Sequence, residues 1–352
     1  MIESRRLRLT LALVAGLAVA ACSSGTGSSP SAAVPSDAPT TSGEASTPAE
    51  ASPSAPVEVV KVDFRLNWVI AGNHAPFYLA QQQGFWTECG LDVSMAAGKG
   101  SGDTAQLVAN GSQPFGLTDA VSIAAGRGKG LPVKSLGVLY QTNPASIVSY
   151  KASGITTLDD VKGKTWGAVP GGSPFLLLKG LFKAQGIGAD DYREVSVPAP
   201  GIAQLKAKQV DFITFFGNEA ANIDPDPGAN LNVLPFKDFG QDIYGLAIAS
   251  SDDYIAAHPD QAACFVDGVR KGLEAAKADP DAALEALYAA APETKDRPDV
   301  MRTLLDGVYE YAGTTYLEQT AEKWDATQTV LVDSGIIDAA VPTADLFTND
   351  YQ

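Results

Sequence analysis

The sequence predicts an α/β protein built as two lobes with a ligand cleft between them. Strand and helix signals alternate without a break from Val57 onward. A second alternating series of similar build begins at about Ala145. A strand-helix-strand unit that repeats in this way argues for mostly parallel sheets covered by helices on both faces.

In the first series "VEVVKVDFRL" is a β-branched alternating run, and "PFYLAQQQGFW" reads as a helix with Gly84 near its end. "LDVSMA" is a strand. "SGDTAQLVANG" is a helix with Ser101 or Asp103 as N-cap, closed by Asn110-Gly111. "PFGLT", "DAVSIAAGRGKG" and "PVKSLGVLY" follow as strand, helix and strand. The second series reads "SIVSY" (strand), "TLDDVKG" (helix), "KTWGAV" (strand), "SPFLLLKGLFKAQG" (helix), "YREVSVP" (strand), "GIAQLKAKQ" (helix) and "DFITFF" (strand). "IYGLAIASS" adds one more strand. Residues 252–335 are helical, with stops expected at Pro259, Pro280, Pro292 and Pro298. The expected division is 57–143 with 245–352 as one lobe and 144–244 as the other.

Ahead of the folded part, Arg5, Arg6 and Arg8 precede an apolar run from Leu9 to Ala21, too short to span a bilayer and flanked like a secretory leader, 1–21. The run ends in Val19-Ala20-Ala21-Cys22, which resembles the lipobox of bacterial lipoproteins and implies a lipidated Cys22 anchored on the outer face of the cell membrane. The alternative is an ordinary leader cleaved after Ala21, which would leave an exposed thiol. Residues 22–56 are almost wholly Ser, Thr, Pro, Ala and Gly. They bury too little apolar surface to offset chain entropy and read as a tether. The net charge of -16 speaks against nucleic acid and against electrostatic adhesion to a membrane. Cys89 and Cys264 either pair, as exported cysteines do, or are buried separately. Neither has a second Cys or His at ligand spacing, so no metal site is expected.

Open α/β sheets bind ligands beyond the carboxyl ends of their strands. Six loops follow predicted strands, at 67–74, 98–103, 118–119, 141–143, 170–173 and 217–219. They supply the candidate ligand-binding residues Asn67, Trp68, His74, Ser101, Asp119, Gln141, Gly172, Ser173, Asn218 and Glu219. Gly171-Gly172-Ser173-Pro174 allows close backbone approach, with Ser173 as cap and Pro174 in the first helical turn; no Gly-Lys-Ser/Thr follows, so it is not a nucleotide P-loop. Glu219, just beyond an apolar strand, either accepts hydrogen bonds from a ligand amine or starts the next helix. Trp68, Phe77, Tyr78, Trp166 and Phe216 are available as flat walls, with Phe77 expected in the core. His74 has no nucleophile motif or second histidine near it, since His258 lies in a helix-to-helix turn. It is therefore read as a pocket residue or a hydrogen-bonded structural one, and no catalytic residue is expected.

The blocks "FRLNWVIAGNHAPFYLAQQQGFWTECGLDV", "QLVANGSQPFGLT", "GRGKGLPVKSLGVLYQTNPASIVSYKASGITTLDDVKGKTWGAV" and "LKAKQVDFITFFGNEA" together resemble the solute-binding proteins of ABC importers, in the group of hydroxymethylpyrimidine, sulfonate and nitrate binders. The resemblance implies a type II periplasmic binding protein fold and a monomer. It implies ligand capture between the lobes and delivery to a membrane permease driven by a cytoplasmic ATPase. A fungal pyrimidine synthase belongs to the same family and shares the stretch here occupied by Leu66, Asn67, Trp68, His74 and Pro76. Its cofactor-bearing lysine and sacrificed histidine fall at Thr118 and Ser122, neither of which can form a Schiff base or donate an imidazole. The resemblance therefore implies a binder with no cofactor. Pyrimidine binders carry an acid at the place of Glu219, whereas Asp119 stands where a tyrosine-like residue is common. Neighbouring branches take sulfonates, nitrate, riboflavin or aromatic carboxylates. Among the candidate loops only 98–103, with Lys99, holds a cation, which favours a neutral or weakly basic heterocycle over an anion.

Overall fold

The computed structural model describes residues 59–352. The expected leader (1–21), Cys22 and the tether (22–56) lie outside the described residues. The strands are β1 (Val60–Arg65), β2 (Leu91–Ala96), β3 (Phe115–Asp119), β4 (Val133–Val138), β5 (Ala145–Tyr150), β6 (Thr165–Ala168), β7 (Arg193–Ser196), β8 (Phe212–Phe216), β9 (Leu231–Pro235) and β10 (Leu246–Ser251). The helices are α1 (Ala75–Gln83), α2 (Ser101–Ala109), α3 (Ala120–Arg127), α4 (Ser173–Ala184), α5 (Ile202–Lys206), α6 (Pro227–Asn230), α7 (Asp252–Ala257), α8 (Pro259–Ala278), α9 (Pro280–Ala290), α10 (Pro298–Tyr311), α11 (Ala321–Asp333) and α12 (Thr343–Leu346).

Two five-stranded sheets of matching topology result, ordered β2-β1-β3-β10-β4 and β7-β6-β8-β5-β9. Each is parallel except for one strand. In the first sheet β10 runs antiparallel to β3 and β4, and in the second β5 runs antiparallel to β8 and β9. Those two are the first strands entered after the chain passes from one sheet to the other. β1 and β2 pair in parallel along their whole length, with Val60 opposite Leu91 through Arg65 opposite Ala96.

Burial follows from position in the sheet. Edge-proximal β1 alternates, with Val62 and Phe64 buried and Lys61 and Asp63 exposed. Central β3, β8 and β10 are buried along their whole length, which requires helices on both faces. Gly116 in β3 shows how tight that cover is, since a Cβ there would lie 2.7 Å from methyls of Thr104 and Val108 on α2.

Several local expectations are sharpened or corrected. The stops fall where expected, since α7 ends at Ala257, α8 at Ala278, α9 at Ala290 and a 3-10 turn at Asp296, but Pro259, Pro280 and Pro298 also begin the helices that follow. They open α8, α9 and α10 at the first turn, where a missing N–H costs nothing because that donor has no intrahelical partner. "TLDDVKG" contracts to a 3-10 turn, Asp159–Val161. There the Asp160 carboxylate accepts from the backbone N–H of Thr156 and Thr157 and outcompetes a regular helix. The edge strand β9, "LNVLP", is only half-buried and ends in proline, a pattern too weak to read from sequence. The N-caps of α2 and α4 are Gly100 and Gly172, so Ser101 and Ser173 sit one position inside the helices instead of capping them.

Outside the site, Cys89 and Cys264 are bonded to each other, with Cα atoms 5.9 Å apart across 175 residues of sequence. The link ties the turn after α1 to α8, beside Trp86, which stacks on Phe265 and donates from Nε1 to the Phe265 carbonyl.

Candidate ligand-binding cleft

A cavity of about 570 Å³, open mouth included, lies between the carboxyl ends of the two sheets. The loop after β1 contributes Asn67 and Trp68, and the start of α2 contributes Gly100 and Ser101. From the second sheet come Gly172, Ser173 and Phe175 at the start of α4, then Thr214, Phe215 and Phe216 of β8, and Glu219 just beyond it. No lysine or arginine lines the cavity among the described residues; Lys99 points to solvent. The two sides approach closely at Gly100. Its φ of +133° and the 3.2 Å that would separate a Cβ from the Gly171 carbonyl leave room only for glycine.

Trp68 is half-buried and Phe175 and Phe216 stand around the same space, so the walls are largely flat and apolar. Trp166 is not one of these walls. It is fully buried in the strand behind, stacked on Phe175 at 5.3 Å, so Phe175 presents the surface and Trp166 supports it. Phe77 lies in the core as expected. Tyr78 joins it out of reach of the cleft, packed in the helical cluster with Leu79 and Met301.

Glu219 is 6% exposed and sits in a 3-10 turn, Gly217–Asn222. Its Oε1 accepts from Asn73 Nδ2 at 2.9 Å. Burial pushes its carboxyl up to about 7, because the charged form loses its hydration without gaining a cation. The expected choice between ligand acceptor and helix start is thus drawn toward a desolvated group on the cavity wall.

Four candidates lie elsewhere. His74 is wholly enclosed. Its Nδ1 accepts from the Ala71 N–H at 3.2 Å and its Nε2 lies 3.1 Å from Asn67 Oδ1. Desolvation lowers its pKa to about 3, so the ring is neutral. It stands behind Asn67 and does not reach the cavity surface. Asp119 is fully buried at the end of β3, where it caps α3 by accepting from the Ser122 N–H at 2.9 Å. Burial raises its pKa, opposed by the nearby serines Ser173, Ser122 and Ser101, of which Ser122 donates its backbone N–H and Ser173 and Ser101 come from the cavity rim. Gln141 is turned away and donates to the Glu318 carbonyl at 2.9 Å, fastening the crossover to the C-terminal segment. Asn218 points to α10, reaching the Gly307 carbonyl at 3.4 Å.

Sequence reasoning missed Phe175, Phe215, Thr214, Pro200 and Asn73. Phe175 belongs to an apolar helical run whose periodicity reads as core. Only its place in the first turn of α4, at the sheet's carboxyl end, marks it as a wall.

Residues 71–283 match the model of the NMT1/THI5-like family, well over half of the chain. The riboflavin-binding protein RibY of Chloroflexus aurantiacus is 27% identical over 97% of each chain. A 4-amino-5-hydroxymethyl-2-methylpyrimidine phosphate synthase of Uromyces fabae is 25% identical over 62% of this chain and 68% of that one. Among solved structures, the periplasmic aliphatic sulphonate-binding protein SsuA of Escherichia coli superposes with a TM-score of 0.64 at 16% identity, covering 84% and 99% of the two chains. The fold is that of the type II periplasmic binding proteins, two α/β lobes around a cleft, and the chain belongs to the NMT1/THI5-like family.

Proposed function

We propose that this protein is the solute-binding subunit of an ABC importer. It captures a small aromatic heterocycle between its lobes, 57–143 with 245–352 and 144–244, and delivers it to a membrane permease. The chain acts as a monomer held to the outer face of the cell membrane through a lipid on Cys22. The observation that carries the reading is the chemistry of the cavity. Four aromatic residues, Trp68, Phe175, Phe215 and Phe216, and a buried carboxylate line it, and no basic side chain does so among the described residues. Such a site stacks a flat ring and accepts hydrogen bonds from its N–H groups, and it holds no cationic side chain for a sulfonate or nitrate, only the N-terminal turns of α2 and α4.

The first ligand reading is a pyrimidine-like thiamine precursor. A flavin is the second, favoured by the full-length likeness to RibY. A synthase-type enzyme is disfavoured, because Thr118 is spent donating its hydroxyl to the Ser101 carbonyl and Ser122 sits at the Asp119 cap. Native mass spectrometry of the protein as purified, followed by thermal shift against a metabolite panel, tests the reading. A pyrimidine or flavin should raise the melting temperature. Stabilisation by sulfonates or carboxylates alone would refute it.

A further inference from the structure

The loop between β1 and α1 carries three amide or imidazole side chains whose hydrogen bonds form a directed chain. The Ala71 backbone N–H can only donate, and it ends on His74 Nδ1 at 3.2 Å. Nδ1 must therefore be the unprotonated nitrogen. A neutral imidazole has a single N–H, so it sits at Nε2. That N–H points at Asn67 Oδ1, 3.1 Å away, and fixes which end of the Asn67 amide is the carbonyl. The enclosure of the ring, wholly without solvent contact, keeps it in this single state. The Asn67 NH2 group has no protein acceptor among the described residues, and Asn67 lines the cavity. Across the site, Asn73 of the same loop occupies Glu219 Oε1, while Oε2 has no protein donor among the described residues.

We propose that His74 is a positioning residue that fixes the hydrogen-bond polarity of the cleft. By holding Asn67 Oδ1 it leaves the Asn67 NH2 as a donor in the same cavity as the acceptor that Asn73 leaves open on Glu219. The site then selects a planar ligand whose polar edge carries an acceptor and a donor together. A lactam, an imide or an amino-substituted ring nitrogen has such an edge; a sulfonate or carboxylate, which only accepts, does not. This rests on the heterocycle reading and specifies the ligand edge that it requires.

Isothermal titration calorimetry with two probes, riboflavin and 4-amino-5-hydroxymethyl-2-methylpyrimidine, tests it in a double-mutant cycle. With the probe that binds, His74→Leu and Asn67→Ala are each expected to weaken binding roughly tenfold, the scale of one hydrogen bond, and the double variant no more than either. Equal losses from His74→Leu with and without Asn67 would make His74 merely structural and overturn the proposal. If His74→Leu does not fold, His74→Gln and Asn67→Asp decide. His74→Gln keeps a donor toward Asn67 and is expected to bind within about threefold of wild type. Asn67→Asp replaces the donor by an acceptor and is expected to lose roughly tenfold or more. Wild-type affinity in Asn67→Asp would overturn the proposal. A wild-type protein that binds neither probe would instead refute the heterocycle reading on which it rests.

Discussion

Replacing Glu219 by glutamine should make the ligand-free protein more stable above neutral pH while weakening its binding. The carboxyl is 6% exposed and its pKa rises from 4.5 to about 7 through burial alone. A raised pKa means that the folded state holds the proton more tightly than the unfolded chain does. The stability linked to that proton is fully present below about 4.5 and is lost as pH rises through about 7. At roughly 1.4 kcal/mol per pH unit, the loss across this window is about 3 kcal/mol. Glutamine keeps an oxygen for Asn73 and carries no charge to desolvate. Scanning calorimetry from pH 4 to 9 should therefore show the two proteins together near pH 4.5 and diverging up to about pH 7. Above that the variant should melt on the order of 6 °C higher, taking about 2 °C per kcal/mol for a chain of this size. A gap that does not change with pH, or a glutamine variant less stable at pH 8, would refute the assignment of Glu219 as a desolvated carboxylate.

Further expectations come from the same geometry. Of the four tryptophans, Trp86, Trp166 and Trp324 are fully buried and Trp68 alone lines the cavity, so Trp68→Phe should abolish any ligand-induced change in intrinsic fluorescence that the wild type shows. Phe175→Ala should weaken ligand binding roughly tenfold by removing a stacking face, as read by calorimetric titration, without comparable loss from the conservative Phe175→Tyr. The Cys89→Ser, Cys264→Ser double variant should lose about 2–5 kcal/mol in denaturant unfolding, because the bond closes a loop of 175 residues. Gly268→Ala would place a Cβ 2.2 Å from the Trp86 ring, itself hydrogen-bonded and stacked, and should cost about 1–3 kcal/mol in the same assay.

The sequence by itself determined the alternation of strands and helices, and with it two α/β units. Period-2 burial in β1 and largely apolar runs in β8 and β10 are local consequences of which residues neighbour each other along the chain. It also placed Asn67, Trp68, Ser101, Gly172, Ser173 and Glu219 at strand-to-helix loops, and all six line the cavity. The tertiary structure decided what depends on neighbours far apart in sequence. The antiparallel sense of β5 and β10 comes from the crossover between sheets, which no local pattern encodes. Trp166 and Phe175 exchange the roles of wall and support because the one on the strand is covered by the one on the helix. His74 is a ring held between Ala71 and Asn67 instead of a contact in the pocket, and Glu219 is desolvated and hydrogen-bonded by Asn73, 146 residues away. Side-chain type can be read from sequence, but the direction of a hydrogen bond and the loss of water around a charge exist only once both partners are brought together.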